Sequence, residues 1–249
     1  MSLQIASSIA NGVLEIALNR IEKKNALTTE MYQALAEKLL EAQYDNTISS
    51  ILIRGQNGAF CAGNDIEDFL TTPPVRSDAP TWKFFDALMQ LDKPVVAAVD
   101  GLAVGVGATM LLHCDFVYAT PGTTFLMPFT GLGITPEGAS TVLLPLLVGR
   151  QRAAKMLLLG KRVDAAELHL AGMVTEVVSP VDLLGIARAT AVEFTALPLD
   201  IVRKTKRLMR DGIELLVNRQ YAAERELLRE TVQGDAAKRA FERFTKKTK

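Results

Sequence analysis

The sequence predicts an α/β fold with largely parallel strands, followed by a helical region. Three observations carry this expectation. Short apolar, β-branched runs alternate with helical periodicity through the first half of the chain. Strands that alternate with helices imply crossover connections, which join parallel neighbours. From Gln151 onward the helical period takes over and the strand runs cease.

The first run, Val13–Leu18, reads Val-Leu-Glu-Ile-Ala-Leu and is expected as a strand. Residues 29–44 carry apolar side chains at helical spacing behind a Thr cap, and 48–53 return to a strand. Residues 94–99 form another β-branched run. After Gly101, the apolar stretch 102–112 suits a buried helix, and 114–119 reads as a strand. Helices are expected over 151–159, 164–171, 181–196, 200–210 and 213–233, punctuated by Pro180 and Pro198. The expected division is a core over 1–195 and a C-terminal helical region over 196–249. No repeat period interrupts it. Residues 71–80 contain three prolines and are expected as a mobile loop.

At 249 residues, 49% hydrophobic and 22% charged, the chain falls in the soluble globular class and can bury a sizeable core. Lys plus Arg and Asp plus Glu balance at 28 each, so no global field favours nucleic acid. Cys61 and Cys114 sit in apolar surroundings without Cys-x-x-Cys spacing. Free thiols in a reducing cytoplasm are expected rather than a disulfide or a metal site. Residues 1–10 lack a basic n-region and an apolar h-region, and no apolar run approaches the ~20 residues of a membrane span. Neither secretion nor insertion is expected.

Residues 129–140, Phe-Thr-Gly-Leu-Gly-Ile-Thr-Pro-Glu-Gly-Ala-Ser, place one carboxylate, Glu137, in a turn within an apolar region. Phe129, Leu132 and Ile134 would raise its pKa, because burial disfavours the charged form. Two readings compete: a catalytic base, or an acid at a helix start after Pro136. Two glycine-containing turns, 59–65 and 100–108, each follow a β-branched run and free backbone N–H groups, an arrangement that can form an oxyanion hole. A glycine in a tight turn before a buried helix is the plainer reading of either turn taken singly. Asp65 and Glu67 read as caps or solvated acids. His113 and His169 read as satisfied core residues, and Trp82, Phe84, Phe85, Leu88 and Met89 as packing, with an acyl tunnel as the alternative.

The segments Leu18-Asn19-Arg20 and Asn25-Ala26-Leu27, then 59–65, then Lys93-Pro94-Val95-Val96-Ala97-Ala98-Val99 and 100–107, resemble the crotonase, or enoyl-CoA hydratase/isomerase, superfamily over nearly the whole chain. The resemblance implies a spiral of ββα units with two near-perpendicular sheets and a C-terminal helical trimerisation region, assembled as a homotrimer or dimer of trimers. It implies a coenzyme A thioester as substrate, no metal or redox cofactor, and two hole donors, the backbone N–H groups of Asn64 and Val106. The two positions at which hydratases hold glutamates are Thr109 and Phe129 here, and neither side chain can replace a titrating carboxylate. The stretch around Pro136-Glu137-Gly138 instead resembles the peroxisomal-type delta-3,delta-2-enoyl-CoA isomerases, which implies one base, Glu137. For the coenzyme A moiety the resemblance implies Lys24, with Arg20 and Lys23 nearby, together with Ala62, Asp65 and Ile66 around the first turn. Phe241, Arg243, Phe244, Lys246 and Lys247 are further candidates near the C-terminus. Alternatives are a hydratase or another crotonase-type acyl-CoA enzyme, or a non-catalytic acyl-CoA-binding module.

Overall fold

A computed structural model describes residues 4–247, with side chains as far as residue 243. Its strands are β1 (Ile5–Ala10), β2 (Val13–Leu18), β3 (Ser50–Arg54), β4 (Val95–Val99), β5 (Leu102–Val104), β6 (Phe116–Ala119), β7 (Thr124–Leu126), β8 (Val163–Asp164) and β9 (Glu176–Val177). One sheet runs β1-β2-β3-β4-β6-β9 and a smaller one β5-β7-β8. In the larger sheet only β1 and β2 are antiparallel; every other neighbouring pair is parallel. The expected parallel core is therefore present. β1 was not anticipated, although Asn11-Gly12 is a strong hairpin signal: both residues have positive φ, 49° and 71°, as a two-residue turn of this kind requires.

The helices are α1 (Thr29–Tyr44), α2 (Ile66–Thr71), α3 (Pro80–Gln90), α4 (Val106–Thr109), α5 (Ser140–Val148), α6 (Arg150–Leu157), α7 (Ala165–Leu170), α8 (Leu183–Glu193), α9 (Leu199–Asp211), α10 (Glu214–Thr231) and α11 (Asp235–Lys247). α1 begins where the sequence places it, because the Thr28 hydroxyl accepts the Met31 amide at 3.3 Å. Its buried face, Met31, Tyr32, Leu35, Ala36, Leu39 and Ala42, keeps the helical spacing and packs with Phe84 and Phe85 of α3 in the main core. α8 covers the opposite face of the sheet, where Leu183, Ala187 and Ala191 meet Val13, Leu52, Val96 and Ala98. Both faces of β4 are thus covered, which explains why all five of its residues are buried and apolar.

The short strands β8 and β9 lie beyond Gln151, where none was expected, and one further element differs. Residues 102–112 do not form a single buried helix. Leu102–Val104 is a strand paired with β7, Gly105 turns the chain at φ 53°, and only then does the short α4 begin, continued by a 3-10 turn over Met110–His113. Unbroken apolarity cannot separate a buried strand from a buried helix.

α9 contributes no buried residue, and charge ties it down instead. Asp92, 3% exposed at its side chain, receives Arg207 and, at 3.0 Å, Arg210. Lys206 reaches Asp115 at 2.6 Å and the Lys93 carbonyl at 2.8 Å. Burial opposes ionisation of Asp92, but these guanidinium groups and Gln43 hold its pKa below the ordinary value. Among the described residues, no helix is long and apolar enough to cross a membrane.

Candidate active site

The two glycine turns lie against each other. Cys61 and Ala103 form a parallel bridge, with the Cys61 amide donating to the Leu102 carbonyl at 3.0 Å and the Val104 amide donating to the Cys61 carbonyl at 2.9 Å. A Cβ on Gly105 would lie 3.9 Å from the Gly63 Cα, and one on Gly107 would meet the Cys61 carbonyl oxygen at 2.6 Å. The glycines therefore permit the contact itself, beyond freeing the turns.

This contact sets where the amides point. The Gly63 carbonyl accepts the Leu27 amide and the Asp65 amide donates to the Leu27 carbonyl, each at 2.8 Å, so the intervening Asn64 peptide groups face away from Leu27. Gly63, at φ 95°, makes the reversal that an L side chain rarely adopts. Val106 opens α4, where a first-turn amide has no partner within its own helix. Asn64 and Val106 thus sit on adjoining turns, each able to offer an N–H.

Glu137 completes the constellation. It is 1% exposed, and its Oε1 is buried without a hydrogen-bond partner among the described residues. Burial, and secondarily the charge of Glu224, raise its pKa from 4.5 to about 8. Burial pushes up the Cys61 thiol and the Tyr32 hydroxyl, and the charge of Glu137 adds to both. Glu137 is no exposed helix-start acid: it precedes α5 by three residues and accepts the Ser140 amide through its main-chain carbonyl at 3.2 Å. A buried carboxyl with a free oxygen and proton affinity near neutrality can take up and return a proton.

The other predicted residues separate into groups. Lys24, exposed and left-handed at φ 50°, accepts the Ala62 amide through its carbonyl at 3.0 Å, so these two coenzyme A candidates are neighbours at the mouth of the first turn. Asp65 caps α2 through the amides of Glu67 and Asp68 and receives Arg20 Nη1 at 2.7 Å, as its reading as a cap anticipates. Its carboxylate and the Arg20 head are therefore occupied internally. Ile66 is half-buried at the start of α2. Phe241 packs against Phe69 with ring centroids 5.7 Å apart and is 2% exposed, which makes it core rather than a nucleotide contact. Arg243 is exposed, and the side chains of Phe244, Lys246 and Lys247 lie outside those described.

His113 is satisfied by the Gly138 carbonyl at 2.8 Å, and burial lowers its pKa to about 4. His169 Nδ1 meets the Val174 carbonyl. Trp82, Phe84, Phe85 and Leu88 are core. The proline-rich segment is anchored: Trp82 Nε1 donates to the Pro74 carbonyl at 3.0 Å and Arg225 Nη2 to the Ser77 carbonyl at 2.8 Å. A broad surface cleft bounded by Met89, His113, Leu143, Lys206, Met209 and Val217 does not include Glu137, Asn64 or Val106. This cleft does not mark the chemistry, and the buried carboxyl is the stronger indicator.

Two functional-site neighbours escaped the sequence reading. Tyr32 donates to Asn64 Oδ1 at 2.5 Å and fixes the first turn from α1. Glu224, 3% exposed, approaches the start of α5 from α10. Its signal was present: with Val217, Tyr221 and Leu228 it occupies the buried stripe of α10, a position where an acid needs a reason.

Comparison with known proteins shows the family and the fold. The family model described as enoyl-CoA hydratase/isomerase matches residues 8–249. The 1,2-epoxyphenylacetyl-CoA isomerase of Escherichia coli is 36% identical over 203 residues, 78% of this chain and 77% of that protein. Human enoyl-CoA delta isomerase 2 is 33% identical over 207 residues, 80% of this chain and 52% of that longer protein. A structure of Pseudomonas aeruginosa OdaA superposes with a TM-score of 0.95 at 38% identity, covering 98% of this chain and 99% of that one.

Proposed function

The chain belongs to the enoyl-CoA hydratase/isomerase family, and from that premise we propose that it is an acyl-CoA isomerase that moves a double bond from the 3 to the 2 position. The observation that carries this reading is Glu137: one buried carboxyl with a free oxygen and a pKa raised to about 8. Thr109 and Phe129 stand where two hydratase glutamates would be needed to handle water.

In the proposed reaction the thioester oxygen rests on the N–H groups of Asn64 and Val106. Glu137 removes a proton from C2, the C2–H electron pair enters the C1–C2 bond, and the thioester oxygen takes up the negative charge of a dienolate. The same carboxyl returns the proton to C4, leaving the double bond between C2 and C3. Preorganised donors aimed at that oxygen contribute on the order of 3 kcal/mol each. One carboxyl carries the proton throughout, so the route uses no metal or redox cofactor. Lys24 and the main chain around Ala62, Asp65 and Ile66 hold the coenzyme A portion in this reading, the Asp65 carboxylate being taken up by its own cap and Arg20, and the enzyme works in the cytoplasm as a homotrimer or dimer of trimers.

The test is conversion of a 3-enoyl-CoA to its conjugated isomer, followed by thioester absorbance, with 2-enoyl-CoA hydration measured in parallel. Isomerisation that depends on Glu137, without hydration, supports the proposal. Hydration that survives Glu137→Gln refutes it, and inactivity in both assays favours a binding role or another acyl group. The Escherichia coli relative gives a specific second substrate class, an epoxide on a ring-bearing acyl-CoA, and such a compound belongs in the same panel.

A further inference from the structure

α5 begins without a side-chain cap of its own. Its N-cap, Ala139, lies in the left-handed region at φ 57° and offers no acceptor. The cap arrives from α10, 83 residues further along the chain: Glu224 Oε1 accepts the Thr141 amide at 2.8 Å and the Thr141 hydroxyl at 2.5 Å. Gln220 Nε2 donates to that same hydroxyl at 2.7 Å. The other oxygen, Glu224 Oε2, is buried without a hydrogen-bond partner among the described residues, as are Glu137 Oε1 and Ser140 Oγ. The Glu137 main-chain carbonyl accepts the Ser140 amide, so Glu137 and Glu224 hold the same short turn from opposite ends.

A cap needs no buried acid. Ser, Thr or Asn at position 139 would serve locally, and a half-satisfied carboxyl in a dry interior is costly. Its presence at this place calls for a role that a local cap would not supply. Resting on the reading of Glu137 as the base, we propose that Glu224 is a positioning residue, which holds the 137–141 turn against α10 and thereby aims the Glu137 carboxyl at the substrate carbons.

The electrostatics are consistent with this role. Burial is the first cause of the high proton affinity of Glu137, and the Glu224 charge is the second. The other groups around Glu137 are neutral near pH 7. Tyr32 of α1, Cys61 of the first turn and Tyr221 of α10 are all pushed up by burial, and His113, bonded to the neighbouring Gly138, is pushed down to about 4. On α3, Asp86 is paired with Arg225 at 3.5 Å. Burial raises the Glu224 pKa as well, but the Thr141 hydroxyl and backbone amides of the turn favour its anion. A negative charge on Glu224 raises the proton affinity of Glu137 further.

The experiment uses the full chain with Glu224→Gln, which keeps an acceptor for Thr141 but removes the charge, and Glu224→Ala, which removes both. Two readouts are taken: kcat and KM on a 3-enoyl-CoA, and the titration midpoint of Glu137 by carbon-13 NMR of labelled glutamate, assigned by loss of the resonance in Glu137→Gln. Glu224→Ala should lower kcat about tenfold or more with KM little changed, because misaimed groups lose rate rather than binding. Glu224→Gln should recover most of that loss while moving the Glu137 midpoint downward. Wild-type kcat in Glu224→Ala, or an unmoved midpoint in Glu224→Gln, overturns the proposal. Should Glu224→Ala fail to fold, Glu224→Asp, which keeps the charge but withdraws the acceptor from Thr141, decides: kcat should fall about tenfold with KM little changed, and wild-type kcat overturns the proposal. A wild type that converts no 3-enoyl-CoA sinks the isomerase reading but not this link, since the midpoint is read without turnover.

Discussion

Replacing Glu137 by Gln should make the protein more stable as it destroys the proton transfer. The folded-state pKa of Glu137 is raised to about 8 from the ordinary 4.5 by burial. Between those values the folded protein keeps a proton that the unfolded chain has released, so wild-type stability falls as pH rises through that window. Each pH unit inside it costs about 1.4 kcal/mol, so moving from about pH 5 to about pH 7 removes on the order of 2 to 3 kcal/mol through this one group. The loss ends once pH passes the folded value and both states are ionised. Gln cannot titrate, so the Glu137→Gln variant lacks this slope while retaining that from Glu224 and every other acid. Urea unfolding of both proteins at several pH values across the window measures the difference directly. Stability curves that run parallel from pH 5 to pH 8 would refute the claim that this carboxyl is both dry and protonated in the folded state.

The remaining predictions concern catalysis and assembly of the site. Glu137→Gln should lower isomerisation about a hundredfold or more with KM little affected, measured by thioester absorbance. Because a base must be deprotonated, kcat/KM should rise with pH and level off above a midpoint near 8, where the Glu137 proton is lost; a profile flat from pH 6 to 9 contradicts the assignment. Gly107→Ala drives a methyl group into the Cys61 carbonyl, 2.6 Å away, and should reduce kcat about a hundredfold by parting the two turns. Gly131→Ala meets nothing within 4 Å and serves as the control. Tyr32→Phe removes the hydrogen bond to Asn64 and should cost about 1 kcal/mol of stability, seen as a lower urea midpoint.

Much of the fold was legible because its signals are local. Thr28 caps α1, β-branched runs mark β2 to β4, and glycine occurs where Gly63 and Gly105 take positive φ. The 102–112 stretch misled because a buried strand and a buried helix are equally apolar, and only the pairing of β5 with β7 decides between them. Phe241 resembled a ligand contact in a basic tail, yet its partner, Phe69, lies far away in sequence. Within the site, the burial of Glu137 and the rise in its pKa were legible from its apolar neighbours, whereas its reading as a base came from the resemblance. Its company was not: Tyr32 and Glu224 act through contacts with Asn64 and Thr141 that no local pattern encodes.

The bridge between Cys61 and Ala103, and the cap that Glu224 sets on α5, also bear on the order in which activity appears during refolding. Both contacts close long loops, which are entropically costly and therefore tend to form late. A chain emerging from the ribosome exposes Glu137 and both turns well before α10 exists to hold α5. Helical signal should therefore return ahead of turnover after dilution from denaturant. Recovery of isomerisation after the helical signal would then mark the docking of α10 on α5.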